Sequence, residues 1–133
     1  MSRLPITRRA AALFVVAVLC ACASTRTTRF DAGVRYPERT PEQSIRFYGS
    51  QRPSCQFEEL GRVTSESRFF ASWDRVVSSA RKAAHDLGGD AIISVRDGSR
   101  LSTEPTLDGG VTVKSTSTLS GIVIRFLDES CMS

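Results

Sequence analysis

Four cysteines and a single histidine are the residues of this sequence with the widest chemical repertoire. Cys20 and Cys22 lie one residue apart at the end of an apolar segment, whereas Cys55, His85 and Cys131 are scattered through the rest of the chain. Thiolate and imidazole groups can hold zinc or act as a nucleophile and its base, and two thiols can join in a disulfide. The spacing and surroundings of these residues decide among the three chemistries.

The N-terminal segment has the pattern of a secretory signal. Its apolar run, residues 10–23, is too short for a membrane-spanning helix, which needs about 20 apolar residues. Arg3, Arg8 and Arg9 precede the run without any acidic residue. A basic region, a short apolar region and an exit of small residues predict an exported protein. The Arg8-Arg9 pair is also a weak match to a twin-arginine signal, so the export route stays open.

The exit of this segment, Leu19 to Cys22, resembles the lipobox of bacterial lipoproteins. In that motif a leucine and a small residue lie three and one positions before the cysteine that receives the lipid. The resemblance implies that residues 1–21 are a signal peptide removed together with Cys20, and that Cys22 carries fatty acid such as palmitate. The alternative is an ordinary cleaved signal that leaves a free thiol. Because Ala23 follows Cys22, instead of the Asp that commonly retains lipoproteins in the inner membrane, the resemblance implies the outer membrane and a domain facing the periplasm.

Removal of the leader changes the charge and the length of the chain. The sequence has 18 Lys and Arg against 14 Asp and Glu, but three arginines lie in residues 1–21, which leaves 15 against 14 and a net charge of +1. This balance gives no basic surface for nucleic acid, so no nucleic-acid partner is expected. The 112 residues that remain of 133 fit one small domain.

Residues 22–43 have the composition of a flexible tether. They are rich in Thr and Arg, contain Pro37 and Pro41, and show no apolar period. Their arginines could contact an anionic membrane leaflet or simply be solvated, and both alternatives stay open. A single domain is therefore expected to fill residues 44–133.

A helix is the clearest element of this domain. Ser72 is its candidate N-cap, and Gly88 is placed to adopt the left-handed conformation that ends helices. His85 falls on the polar side and is expected to be a solvated helix residue. The apolar stripe recurs every three or four residues and consists of Trp73, Val76, Val77, Ala80, Ala83, Ala84 and Leu87.

Strands are predicted on both sides of the helix. Before it they are expected at residues 44–49 and 57–65, where Gly61 marks either a bulge or a close approach of another backbone. After it, residues 91–95 predict a central strand, and residues 98–110 a long hairpin loop. Within residues 111–126 the apolar positions change from odd to even numbers, which predicts a bulge or sharp twist near Ser120 and Gly121.

The fold class is therefore α+β. We expect a small, mostly antiparallel sheet of about four strands with one packed helix, in the chain order β-β-α-β-β.

Three blocks of the domain resemble a known family. The blocks are Phe57–Val63, Ala83–Val95 and Ser117–Phe126. They are similar to YbjQ-type domains, which are named for heavy-metal binding, and to the fold of the outer-membrane stress-sensor lipoprotein of the Rcs system. The resemblance implies a module without catalytic activity that senses or contacts envelope proteins, or associates with a copy of itself. The implied partners are the membrane, through the lipid on Cys22, and an envelope protein or a second copy.

Removing Cys20 and lipidating Cys22 leaves Cys55 and Cys131 as an even pair. In an oxidising compartment such a pair favours a disulfide over two free thiols. A structural zinc site needs four ligands, usually in close pairs, and Cys55, Cys131 and His85 form no close pair. No metal ligand and no cofactor are therefore predicted.

The sequence lacks the motifs of common catalytic sites. It has no G-x-S-x-G elbow, no P-loop and no G-x-G-x-x-G after a strand. Glu58 and Glu59 are adjacent, so on a strand they face opposite sides and cannot act as a carboxylate pair. We predict no enzyme and no catalytic residue. The alternative to an interaction or sensor domain is a module that binds a metal or small ligand where the loop of residues 98–110 meets the sheet.

Overall fold

A computed structural model describes residues 23–67 and 71–132 of the chain. The signal peptide predicted at residues 1–21, with Cys20, and the lipid acceptor Cys22 lie outside these described residues. The described chain folds into one helix, α1 (Trp73–Asp86), and the strands β1 (Ala23–Arg29), β2 (Arg46–Phe47), β3 (Phe57–Ser67), β4 (Ala91–Pro105) and β5 (Val111–Phe126).

These strands form one mixed sheet in the order β1-β3-β5-β4-β2. All neighbouring strands are antiparallel except β2, which runs parallel to β4. One helix together with a single sheet confirms the predicted α+β class. The predicted details differ, because the described chain has five strands rather than about four and its order is β-β-β-α-β-β.

The strand absent from the sequence-based expectation is β1, which lies in the segment interpreted as a tether. Ala23–Arg29 pairs along its whole length with the second half of β3. Threonine favours strands because of its branched side chain, but its polarity hides the alternation by which a strand is recognised. Residues between β1 and β2 are also part of the fold, since Thr40 is only 8% exposed and Ile45 only 2%. The fold of the described residues therefore includes residues 23–43, which the sequence assigned to a tether.

Gly61 has both of the features that the sequence allowed, a bulge and a close approach of another backbone. The register of β3 against β5 shifts between Glu59 and Gly61, so a bulge lies here. A Cβ atom at Gly61 would also collide with the backbone carbonyl oxygen of Thr28 in β1. The glycine therefore permits β1 to pack closely against the bulged strand.

The bulge predicted in β5 near Ser120 and Gly121 lies in the neighbouring strand instead. The register of β4 against β5 shifts between Ile93 and Arg96, opposite these residues, and Ser94 has a positive φ of 51°. Apolar residues occupy odd and even positions of β5 because both faces of its second half are covered. Leu119 and Val123 belong to the cluster on the helix side, and Ile124 and Phe126 to the cluster on the other side.

The helix covers one face of the sheet with the predicted stripe. Val76, Ala80 and Ala84 are completely buried and Leu87 is 4% exposed. The helix ends as predicted, because Gly88 has a φ of 80°. Two expectations at its start differ: the Ser72 side chain makes no capping hydrogen bond, and Trp73 is 42% exposed. Trp73 lies at the first helical position, beside Asp97, Ser99 and Ser117 of the sheet.

The opposite face of the sheet is covered by short segments instead of a second helix. Ile93, Ile124 and Phe126 form its centre, together with Ala91. The side chains of Cys55 and Cys131 pack against this cluster, along with those of Tyr48, Phe57, Ile122 and Met132. The cysteines thus lie at the edge of a small second core.

The long loop predicted at residues 98–110 is mostly strand. β4 continues to Pro105 and pairs with β5 up to Pro105 opposite Val111. Only residues 106–110 form the turn, in which Gly109 has a φ of 84°. The polar composition of the segment suggested a loop, but its residues pair as a hairpin that extends beyond the rest of the sheet.

Candidate interaction surface

The extended hairpin of β4 and β5 is the most unusual feature of the described surface, and we call residues 98–118 the arm. Its strands pair from Gly98 opposite Thr118 to Pro105 opposite Val111. β3 reaches only the base of the arm, because its pairing with β5 ends at Glu66 opposite Thr118, and β2 pairs only with Ala91 and Ile92. Beyond this base the arm is a two-stranded ribbon, and no other strand of residues 23–67 and 71–132 pairs with its edges.

One face of the arm is apolar and exposed. Residues directly opposite in an antiparallel ladder share a face, as do alternate residues of one strand. By this rule Leu101, Thr103 and Pro105 of β4 lie on the same face as Val111, Val113 and Ser115 of β5. We call the first five of these residues the apolar face. Its exposure is high: 71% for Leu101, 67% for Val111 and 61% for Val113.

The other face of the arm is polar. Ser102 lies opposite Lys114 and Glu104 opposite Thr112. The ammonium group of Lys114 forms an ion pair with the carboxylate of Glu104. The arm is therefore an amphipathic ribbon that leaves its apolar face without a covering layer in the described structure.

The turn at the tip of the arm adds another exposed apolar side chain. Leu107 is fully exposed. The Asp108 carboxylate accepts hydrogen bonds from the Thr106 hydroxyl and from the Gly110 amide, at 3.2 Å in the second case. These two bonds hold the pKa of Asp108 below its ordinary value. The turn is thus locally ordered and presents Leu107 outward.

The base of the arm coincides with the point where the described chain begins. Ala23 pairs with Ser67, and the Ser117 amide donates a 2.9 Å hydrogen bond to the Ser67 hydroxyl. Ser117 in turn pairs with Ser99. Ala23, Ser67, Ser117 and Ser99 therefore form one row across the sheet, and Ala23 lies at the end of the sheet from which the arm projects.

A buried carboxylate connects the segment before β2 to the sheet. The side chain of Asp90 is 1% exposed and forms an ion pair with Arg39. It also accepts a hydrogen bond from the Thr40 hydroxyl and one of 2.8 Å from the Phe126 amide. Burial by itself raises the pKa of Asp90, but the hydrogen bonds from Arg39, Thr40 and Phe126 outweigh it and leave the pKa below its ordinary value. The Asp90 carboxylate therefore has its partners within the protein, and the cluster joins the segment before β2 to the sheet.

His85 is held by protein contacts rather than solvated as expected. Its side chain is 23% exposed, and its Nδ1 lies 2.8 Å from the carbonyl oxygen of Thr40. Since a carbonyl can only accept, Nδ1 carries the proton. Nε2 faces the Glu38 carboxylate at 3.0 Å. The sequence predicted a solvated His85 because residues 38–40, which contact it, were assigned to a tether.

Glu38, His85 and Asp86 form a cluster, which we call the corner, that could hold a cation. Donor atoms of Glu38, His85 and Asp86 all lie within 4.8 Å of one another. A backbone carbonyl on Nδ1 leaves Nε2 as the nitrogen that can bind a metal, and here Nε2 faces the Glu38 carboxylate. Asp86 is also engaged, because the Lys82 ammonium lies 2.9 Å from its carboxylate. The sequence pattern did not indicate this group, since Glu38 is distant from the helix in the chain.

Cys55 and Cys131 are joined in the structure. Their sulfur atoms are 2.07 Å apart and the residues are separated by 76 positions. The predicted pair is therefore present at disulfide distance. In this state neither thiol is available as a metal ligand or as a nucleophile.

The location expected for a small-ligand site is not supported, because the loop that was to form it is the arm. Near the base of the arm the described surface has only an open depression beside Trp73, Asp97, Ser99 and Ser117. Within residues 23–67 and 71–132, no helix has the length and apolar character needed to cross a membrane.

Comparisons with known proteins support the fold alone. No family model and no curated protein matches the chain. A crystal structure of the Francisella virulence factor FvfA, in its orthorhombic form, is similar to it with a TM-score of 0.50. The two chains are 18% identical, and the match covers 80% of this chain and 99% of FvfA. At this identity the likeness concerns the arrangement of helix and strands.

Proposed function

We propose that this chain is a lipid-anchored protein of the bacterial cell envelope whose single domain is a non-catalytic interaction or sensor module. Residues 1–21 would direct its export, and Cys22 would hold it in the outer membrane with the domain facing the periplasm. The proposal draws on the signal pattern, on the lipobox resemblance at Leu19 to Cys22, and on the likeness to YbjQ-type and Rcs-type domains.

The observation that carries the interaction function is the exposed apolar face of the arm. Contiguous exposed apolar surface on a small soluble domain marks sites of interaction with proteins or membranes. Unpaired strand edges are a further recognition surface, because another strand can add to them. The arm combines both features.

The anchor is tested by labelling cells with a fatty-acid analogue. The native chain and Cys20→Ala should incorporate the label and sediment with membranes, whereas Cys22→Ala should do neither. Cys20→Ala is the matched control because it removes a thiol two positions away. If Cys22→Ala remains membrane-bound and labelled, the anchoring proposal is wrong.

The interaction surface is tested with a photo-crosslinking amino acid placed on either face of the arm. Val113 lies on the apolar face and Thr112 is its neighbour on the polar face. We expect illumination of cells to yield a defined adduct from position 113 and much less from position 112. Equal labelling at the two positions would remove the apolar face as the contact surface.

The corner of Glu38, His85 and Asp86 supports metal binding as a second candidate function. Nitrogen and carboxylate donors in this combination suit zinc or another divalent transition metal. Equilibrium dialysis of the purified protein against Zn²⁺ should show one bound ion that is lost in His85→Gln. The ion should be kept in Asp74→Asn, which removes an acidic side chain elsewhere on the helix. Absence of stoichiometric binding by the native protein would eliminate this candidate.

A further inference from the structure

We infer that the arm rests on the surface of the membrane that holds the lipid of Cys22, with its apolar face and Leu107 turned toward the acyl chains. This inference rests on the proposed anchoring and identifies the partner of the apolar face as the bilayer. It begins from the row Ala23, Ser67, Ser117 and Ser99, which forms the base of the arm.

The position of the anchor relative to the sheet is fixed by β1. Because β1 begins at Ala23, a lipid on Cys22 would lie one residue from the sheet. One extended residue spans about 3.4 Å, so the end of the sheet that contains Ala23 would be held against the headgroups. No flexible tether separates the domain from the bilayer in this arrangement.

The arm projects toward the same side. β1 runs antiparallel to β3, and β3 antiparallel to β5. β1 and β5 consequently run in the same direction, and Ala23 lies at the end of the sheet from which the β5 residues before Ser117 project. From Ser117 to Val111 there are six residue steps, which correspond to about 20 Å of ribbon. A ribbon of this length at the membrane-facing end must contact the bilayer.

The chemistry of the arm indicates how it lies there. Its two strand edges are unpaired, and open edges are not tolerated inside the hydrocarbon layer because their backbone groups would lose hydrogen bonds. The arm would therefore lie along the interface, as amphipathic helices do when they bury one apolar face about 5–10 Å into the headgroup boundary. A two-stranded ribbon twists more than a wide sheet, so the apolar face rotates relative to the helix layer along the arm.

The polar face is consistent with this orientation. Lys114 and Glu104 neutralise each other on that face, so water or headgroups can cover it without a buried unpaired charge. At the tip, Leu107 is fully exposed while Asp108 is bonded to Thr106 and Gly110. The tip can therefore present its leucine to lipid while its carboxylate remains bonded within the turn.

Depth-sensitive tryptophan quenching tests this inference on the lipidated protein. The chain has one tryptophan, Trp73, which is replaced by Phe. A new tryptophan is then placed at Leu107, at the tip of the arm, or at Leu127, which is 62% exposed just beyond the opposite end of β5. The variants are reconstituted into vesicles of phosphatidylethanolamine and phosphatidylglycerol, with and without bromine on the acyl chains.

We expect brominated lipid to remove most of the emission of Leu107→Trp and little of that of Leu127→Trp. Adding Val113→Lys should abolish the quenching at position 107, whereas Thr112→Lys on the polar face should leave it unchanged. Thr112→Lys also controls for folding, because the two substitutions introduce the same charge at neighbouring positions of one strand.

The outcomes distinguish a failure of the proposed anchoring from a failure of the inference about the arm. A protein that carries no fatty acid and does not float with the vesicles contradicts the proposed anchoring. A protein that floats but shows equal quenching at positions 107 and 127 overturns the inference about the arm while leaving the anchor intact. A cross-linked dimer lost in Val113→Lys, without quenching at position 107, would assign the apolar face to a second copy and also overturn it.

Discussion

Replacing Asp90 by Asn should strongly destabilise the domain. The substitution preserves the shape of the side chain but removes its charge and one of its acceptor oxygens. In the native structure Arg39, the Thr40 hydroxyl and the Phe126 amide all donate to this carboxylate, whose side chain is 1% exposed. An amide in its place turns two hydrogens toward these donors, so at least one buried donor loses its partner.

The expected loss follows from the burial of the ion pair. Removing one member of a buried pair costs about 3–5 kcal/mol, because the remaining charge is left without compensation. Arg39 retains 18% exposure of its side chain and can be partly hydrated, which places the expected loss near the lower limit. A loss of about 3 kcal/mol lowers the melting temperature of a domain of this size by about 10 °C.

The assay is urea and thermal unfolding of native protein, Asp90→Asn and Asp86→Asn with the disulfide intact. Asp86 is a suitable control because its side chain is 50% exposed and pairs only with Lys82 at the helix surface. We expect Asp86→Asn to unfold close to the native midpoint. If Asp90→Asn unfolds together with Asp86→Asn, the buried cluster does not stabilise the fold as argued.

The loss of stability in Asp90→Asn should depend on pH. The pKa of Asp90 is lowered in the folded protein, so its contribution is complete above the ordinary aspartate pKa of about 3.9 and is lost as pH falls through the folded-state pKa. The difference in stability between native protein and Asp90→Asn should therefore be constant near neutral pH and narrow below about pH 4. A difference that widens on acidification would contradict the assigned ionisation state.

Three further substitutions test the packing of the fold, with Gly49→Ala as a common control because a Cβ atom there would contact nothing within 4 Å. Gly61→Ala should separate β1 from β3 by collision with Thr28, and hydrogen exchange should accelerate in residues 23–29. Gly88→Ala should destabilise by about 1 kcal/mol or more, because the residue has a φ of 80° and its Cβ would lie 2.7 Å from Tyr36, and the urea midpoint measures this loss. Removing the disulfide with Cys55→Ser should cost about 4 kcal/mol in the same measurement, since it releases a long loop in the unfolded chain. Unchanged exchange in Gly61→Ala, or urea midpoints equal to that of Gly49→Ala for the other two, would contradict these contacts.

The sequence predicted the structure best where only one kind of residue can form the feature concerned. The spacing of Val76, Ala80 and Ala84 predicted the buried side of the helix, since an isolated helix on a sheet needs a single apolar stripe. Gly88 and Gly61 were identified because few other residues fit a left-handed helix end or a close backbone contact. These features are local and depend little on the rest of the fold.

The sequence was least informative where strands are polar. Ala23–Arg29 and the outer part of β4 contain mainly Ser, Thr and Arg, so no apolar alternation distinguishes them from a tether or a loop. Their pairing depends on the neighbouring strand, which is distant in the chain. In β5 the apolar residues themselves were misleading. Because the second half of this strand is buried on both faces, its apolar residues occupy odd and even positions, which was interpreted as a bulge.

The candidate surface was missed for the same reason. Val111 and Val113 were assigned to a strand, but Leu101 and Pro105 were assigned to a loop, so their common face could not be recognised. The Asp-Gly-Gly sequence at residues 108–110 is typical of a turn and residues 98–110 were predicted as a hairpin loop, but their polar composition did not indicate that β4 extends to Pro105. His85 likewise required knowledge that Glu38 and Thr40 fold back onto the helix.

The position of β5 in the sheet has a consequence for how the chain acquires its structure. β5 is the last strand along the chain, yet it lies in the centre, between β3 and β4. A nascent or truncated chain that ends before Val111 lacks the strand with which both halves pair, and such nonlocal pairing is slow to form. The sheet can therefore be completed only after residues 111–126 have been synthesised.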